Sequence, residues 1–227
     1  MESIFSIAID GPAGAGKSSV AKEVARRLDG VYLDTGAMYR ACGLYMTRIG
    51  VSLEDAPAVI AHLNELPLHV TAVDGLQQTW LGEENVSEAI RAPEMSLAAS
   101  SVSKIAEVRA HLVDMQRAIA RGQSVVMDGR DIGTKVLPDA TLKIWLTASP
   151  KVRARRRWLE LQKKGQDEPF EKVLSELIER DYNDAHRAAS PMVQAEDAVE
   201  IDTSDLTFDE VVEKIIGLAE AAIGGHA

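Results

Sequence analysis

Residues 11–18 read Gly11-Pro12-Ala13-Gly14-Ala15-Gly16-Lys17-Ser18, which fits the pattern G-x-x-x-x-G-K-[ST]. The setting gives the string its meaning. Ile4–Ile9 before it is a short apolar run rich in isoleucine, the mark of a buried strand. After it, Ser18–Leu28 places Val20, Val24 and Leu28 on one face of a helix. A strand that turns through glycines into a helix aims successive backbone N–H groups inward, and the helix N-terminus adds unpaired donors of its own. Such a nest suits phosphate oxygens. Glycines permit the curled backbone and keep Cβ atoms out of the way. Lys17 can reach the β- and γ-phosphates of a nucleoside triphosphate, and the Ser18 hydroxyl can ligate Mg²⁺.

Working outward, apolar runs at Val31–Leu33, Ser124–Met127, Leu142–Leu146 and Val199–Ile201 read as further strands. Between them lie helical stretches near Met38–Ile49, Val108–Arg121, Lys151–Lys164, Phe170–His186 and Phe208–Ile223. Strand and helix in alternation imply an α/β fold, a five-stranded parallel sheet with helices on both faces and right-handed crossovers. One region breaks the rhythm. Pro67–Leu81 contains LHVTAVDGLQQTWL, two period-2 runs around Asp74-Gly75, which is a hairpin signal and reads as an inserted subdomain. The expected organisation is a single domain with a core of about 1–61, 97–150 and 188–227. The insert covers about 62–96, and a lid with its following helix about 151–187.

Composition narrows the function classes. The chain has 227 residues and a formal charge of 25 − 35 = −10, which disfavours non-specific binding to nucleic acid or to an anionic membrane. A single cysteine, Cys42, excludes an intramolecular disulfide and a cysteine-based zinc site, and the five histidines show no HExxH-type spacing. No apolar run approaches the roughly 20 residues that span a bilayer. The segment MESIFSIAIDGP carries an acid where a secretory signal has positive charge, so the cytoplasm is the expected compartment. A GTPase switch would need D-x-x-G and N-K-x-D, and neither string occurs.

Two further features bear on chemistry. Ser124–Met127 runs into Asp128-Gly129-Arg130-Asp131, placing a carboxylate at the carboxyl edge of the sheet, where open α/β sheets bind ligands. Asp128 can there hold Mg²⁺ through water; alternatively, the Asp-Gly pair marks a plain turn. Arginine is the second. Fifteen of the 25 basic residues are Arg, and Lys151–Lys164 carries a local charge of 7 − 1 = +6. Arg153, Arg156 and Arg157 fall at i, i+3 and i+4, so one helical face can present all three to a transferring phosphoryl group, or to solvent. Arg180, Asp184 and Arg187 share a second stripe, which intrahelical ion pairs alone would also produce.

Four motifs in order, DGPAGAGKSS (Asp10–Ser19), LDTGAMYR (Leu33–Arg40), DGRDIGT (Asp128–Thr134) and ERDYNDAHR (Glu179–Arg187), resemble those of bacterial cytidylate kinases, which are P-loop nucleoside monophosphate kinases. The resemblance runs from Ile7 to about Ala222. It implies a P-loop NTPase fold and transfer of the γ-phosphoryl group of ATP to CMP or dCMP with Mg²⁺, by a monomer. It also implies that Gly11–Ser19, Ser19 included, embrace ATP. Thr35, Arg40 and Arg130 then neighbour the acceptor phosphate and ribose, and Ser100, Arg109 and Asp131 read the cytosine ring. Arg180, Asp184 and Arg187 contact ribose and phosphate. Lys17, Arg130 and the lid arginines Arg153, Arg156 and Arg157 act on the transferring group. The insert corresponds to the family's acceptor-side subdomain. The nearest rival is a kinase of the same fold acting on another small molecule.

Overall fold

Five short strands, β1 (Ser6–Asp10), β2 (Val31–Asp34), β6 (Val125–Asp128), β7 (Leu142–Thr147) and β8 (Val199–Asp202), form one parallel sheet in the order β2-β6-β1-β7-β8. The computed structural model describes residues 4–73, 75–163 and 165–225. Asp74 of the expected hairpin turn, Lys164 of the expected arginine-rich helix and the expected core positions 1–3 and 226–227 lie outside them. Alternate residues of each central strand feed two cores, as the pleat requires. Ile7, Ile9, Val126 and Ile144 pack with Val20 and Val24 of α1 (Lys17–Arg27) and with Val212 and Ile215 of α8 (Phe208–Gly224). On the other face Ala8, Leu33 and Met127 pack with Met38, Cys42 and Met46 of α2 (Thr35–Arg48) and Leu112 of α5 (Ala106–Ala120). The expected α/β sandwich is what the chain forms.

The expected strands and helices all occur, with ends that coincide or move by at most three residues. The short α3 (Ala56–Ala61) and α4 (Pro93–Val102), rich in alanine, gave no periodic signal and were not expected. Between them β3 (Leu68–Val73) and β4 (Leu76–Leu81) pair antiparallel, and the brief β5 (Glu84–Asn85) completes a separate three-stranded sheet. This insert covers the open edge of β2. The Tyr32 N–H donates to the Gly75 carbonyl at 3.4 Å and the Asp34 N–H to Gln77 Oε1 at 2.6 Å, which occupies donors that an edge strand otherwise exposes. Beyond β7, α6 (Pro150–Lys163) and α7 (Phe170–His186) pack against each other as a helical hairpin.

The register places three carboxylates at one edge. Asp34 aligns with Asp128 and Ile9 with Asp128, so Asp34 and Asp128 end their strands at one level and Asp10 ends the adjacent β1 one residue further on. Each of them does something different.

Candidate active site

The phosphate-binding loop occupies residues 11–18 between β1 and α1. Two glycines are dictated by geometry. Gly11 has φ 142°, and a Cβ there would fall on the Leu146 carbonyl of β7. Gly16, the residue before α1, has φ 91°, a left-handed conformation that costs glycine nothing. Lys17 is buried and its Nζ donates to the Pro12 carbonyl at 2.7 Å, across the mouth of the loop. Burial and the nearby Arg130 guanidinium hold its ammonium well below the usual lysine range. At the end of β6, Asp128 accepts from Ser18 Oγ at 2.8 Å through one oxygen and from Tyr32 OH at 2.7 Å through the other. Burial and then Asp34 raise its carboxyl. Ser19 lies exposed in the first turn of α1.

On the acceptor side, Asp34 caps α2 by accepting from the Ala37 N–H at 2.9 Å and pairs with Arg40 at 2.8 Å. Thr35 Oγ1 donates to the Asp128 carbonyl at 2.8 Å, which ties the start of α2 to the end of β6. From α7, Asp184 meets Arg130 Nε at 3.0 Å and Arg187 Nη1 at 3.8 Å. Burial alone would raise its carboxyl, but Arg130, Arg180 and Arg187 outweigh that and hold it low. Arg180 is lowered to about 10 by burial and by Arg130, with Arg40 adding to the repulsion. Arg180 Nε and Arg40 Nε are buried without a hydrogen-bond partner among the described residues. A cluster of cations short of acceptors is the complement of a multiply charged anion.

Beside it, Asp131 and Arg109 form a buried ion pair, with Asp131 Oδ1 also 3.6 Å from Arg187 Nη2. Arg109 lies over the Tyr39 ring, 5.3 Å from its centroid. The Tyr39 hydroxyl and Arg109 Nε, both buried, have no hydrogen-bond partner among the described residues. Burial pushes the Tyr39 phenol up to about 12, so it stays a donor at any working pH. Ser100 is half-buried on α4.

The arginine-rich helix differs from its expectation. The spacing of Arg153, Arg156 and Arg157 suggested three guanidiniums turned to one target; each instead has its own. Buried Arg153 donates to the carbonyls of Ala148 at 2.8 Å and Ala13 at 2.9 Å and pairs with Asp181, whose other oxygen accepts from the Ala13 N–H at 3.1 Å. Arg156 donates to Thr203 Oγ1 and to the Thr203 carbonyl, and Arg157 to Glu160. Carbonyl oxygens within reach draw Arg153 and Arg156 away from a common target, whereas Arg157 pairs along its own helix at i, i+3. Arg153 therefore braces the phosphate loop against α6 and α7.

A family model described as Cytidylate kinase matches residues 7–221. The chain belongs to the cytidylate kinase family. A cytidylate kinase of Caldicellulosiruptor bescii is 49% identical over 94% of this chain and 95% of that protein. One of Caldanaerobacter subterraneus subsp. tengcongensis is 52% identical over 92% of each. Among solved structures, shikimate kinase from Bacteroides thetaiotaomicron is 16% identical and gives a TM-score of 0.50 over 96% of this chain and 99% of that one, a likeness of fold. The family match takes in the insert as well as the sheet, so all four motifs lie within it.

Sequence reasoning within this family member passed over Asp10, Asp34, Tyr32 and Tyr39. Asp10 is buried and accepts from the N–H groups of Ile132 at 2.8 Å and Gly133 at 2.7 Å. These open a wide turn, Ile132–Val136, in which the Val136 N–H reaches the Asp131 carbonyl and the Leu137 N–H the Ile132 carbonyl, the i to i+5 pattern of a π-helix. The reading that found Asp128, an acid ending an apolar strand, applies equally to Asp10 and Asp34. Burial raises the Asp10 carboxyl from 3.8 to about 6 against the pull of its two N–H partners. Because the folded value is the higher one, the folded chain holds the proton more tightly. The stability this carboxyl contributes is complete below about pH 4 and is lost as pH rises through about 6. Relative to Asp10→Asn, the wild type is expected to lose up to about 3 kcal/mol of unfolding free energy between about pH 4 and pH 7. Urea melts across that range check it, and a constant difference would contradict it.

Proposed function

We propose that this protein transfers the γ-phosphoryl group of ATP to CMP or dCMP, giving ADP and CDP or dCDP. One observation carries the reading: Arg40, Arg130, Arg180 and Arg187 gather beside the phosphate loop next to the Asp131–Arg109 pair, and Arg40, Arg180 and Arg187 each keep a buried N–H group without a hydrogen-bond partner among the described residues. The cations suit the acceptor phosphate. The pair offers an acceptor and a donor to the amino group and ring acceptors of cytosine.

An acceptor phosphate oxygen attacks the γ-phosphorus as the bond to the β–γ bridging oxygen breaks. The attacking oxygen is already anionic, so no strong base is required. Positioning and neutralisation supply the rate, with Lys17 on the β- and γ-phosphates and Arg130 on the acceptor side. The Ser18 hydroxyl and Asp128 carboxylate form an all-oxygen donor pair at the sheet edge, which fits Mg²⁺, an ion that takes one or two protein ligands and the rest from phosphate and water. Held by Ser18 and Asp128, Mg²⁺ would neutralise the negative charge that develops on the phosphates. Water competes with the acceptor, so the α6–α7 hairpin and the insert close over both nucleotides, releasing Arg156 from Thr203 and Arg157 from Glu160. No helix among the described residues is long and apolar enough to cross a membrane. The protein acts as a cytoplasmic monomer without nucleic acid.

A coupled ADP-release assay across CMP, dCMP, UMP, AMP, GMP and no acceptor tests the reading. CMP and dCMP should lead clearly; equal rates on all acceptors would overturn it. The arginines of α6 give a second test. Arg153→Ala removes one side of a buried ion pair and strands two carbonyls, a loss of about 3 kcal/mol or more. That corresponds to a fall in Tm of roughly 6–12 °C for a chain of this size. Arg156→Ala and Arg157→Ala are expected to stay within about 1 kcal/mol of wild-type stability and to lower kcat. Thermal melts read beside initial rates separate brace from lid.

A further inference from the structure

We infer that Asp10 is a positioning residue for the acceptor base: its carboxylate, by holding the Ile132 and Gly133 N–H groups, sets the place of Asp131 and Arg130 relative to the phosphate loop. The inference rests on the reading above that Asp131 and Arg130 face the acceptor. Three facts carry it. Asp10 immediately precedes Gly11, so one short segment both enters the donor loop and holds the acceptor turn. The two N–H groups it takes directly follow Asp131, and as the first donors of a wide turn they have no partner inside it. Asp131 itself sits off the regular backbone basins, at φ −149° and ψ 28°, a conformation its neighbours must impose.

A neutral cap would serve a purely structural turn. The buried carboxylate is instead kept against a burial penalty that raises its proton affinity, a cost borne where function requires a group rather than where folding does. Asp131 faces it as a like charge and Lys17 as an opposite one. An error of about 1 Å in a positioning group is enough to cost about a hundredfold. The lever is short, since only one peptide separates the Ile132 N–H from the Asp131 side chain.

Asp10→Asn keeps one acceptor oxygen and sets an NH₂ against the second N–H. Calorimetry on the full chain measures CMP binding and ATP binding separately, and steady-state rates give kcat/KM for CMP and UMP. The expected result is CMP binding weakened by about tenfold or more, ATP binding within about twofold, and a several-fold fall in the CMP to UMP ratio. A general loosening would weaken both nucleotides alike and leave the ratio unchanged; that result, or no change in either, overturns the inference. Gly133→Ala approaches the same contact from the other side, its Cβ lying 3.4 Å from Asp10 Oδ2 and 3.1 Å from Lys143 Cδ. It is expected to weaken CMP several-fold while sparing ATP, and it decides the matter if the Asn variant fails to fold. A wild-type chain that does not bind CMP overturns the proposed function instead, so the two failures are distinct.

Discussion

Lys17→Ala is expected to lower kcat by at least about a hundredfold and to leave the fold intact, with CMP binding close to wild type. A charged donor aimed at the transferring group makes its best contact in the transition state, and losing one such contact costs about 3 kcal/mol or more. The stability side has a cause of its own. Lys17 is buried beside Arg130, and both effects disfavour its charge in the folded chain. Its one hydrogen bond, to the Pro12 carbonyl, is a modest return for that burial. Removing it should therefore leave Tm unchanged or slightly raised. Arginine is not a substitute, since its planar fork does not fill the place of a compact ammonium. Near-normal turnover in a well-folded Ala variant would remove the phosphate loop from the mechanism, whatever the acceptor.

The same tension runs through the three acids that end adjacent strands. A carboxylate at a buried sheet edge pays for desolvation unless donors reach it, and here each has found a different set: helix N–H and Arg40 for Asp34, two hydroxyls for Asp128, two backbone N–H groups for Asp10. Their gathering at one edge follows from parallel register, which aligns Asp34 with Asp128 and sets Asp10 one residue beyond them.

How much of this could be read beforehand depends on range. The phosphate loop and the five strands were legible because their signals are local: a glycine pattern between a strand and a helix, and apolar runs of the right length. The hairpin insert was legible for the same reason. Asp10 was not, because its partners lie 122 and 123 residues away and become neighbours only once β1 pairs with β6. The destinations of Arg153 and Arg156 were hidden for a related reason: helical spacing gives a direction, whereas the carbonyls of Ala13, Ala148 and Thr203 arrive from loops. The wide turn at Ile132–Val136 has no periodic signature in the sequence, and the acceptor for its first two N–H groups, Asp10, is equally distant along the chain.

Asp131→Asn is expected to lower the CMP to UMP ratio of kcat/KM by about ten- to a hundredfold, chiefly through poorer use of CMP. Cytosine presents an exocyclic amino donor where uracil presents a carbonyl acceptor. An ionised Asp131 only accepts, so it favours cytosine and faces uracil oxygen to oxygen; Asn can turn an NH₂ there and tolerate either base. The alternative assigns Asp131 to Mg²⁺ beside Asp128, since both follow the same strand. The structure separates their surroundings: Asp128 is held by Ser18 and Tyr32, whereas Asp131 is paired with Arg109 and lies 3.6 Å from Arg187. A metal ligand is blind to the base, so on that reading CMP and UMP would slow alike, as Asp128→Asn is expected to show. The Asn variant also leaves Arg109 without its counter-charge in a buried site, while Arg187 keeps Asp184, and a loss of about 3 kcal/mol in stability is expected with it. Rates must therefore be read below the melting transition and divided, one nucleotide by the other, on the same preparation. Loss of fold lowers both rates equally and cancels in the ratio, and only a change in how the base is recognised survives the division.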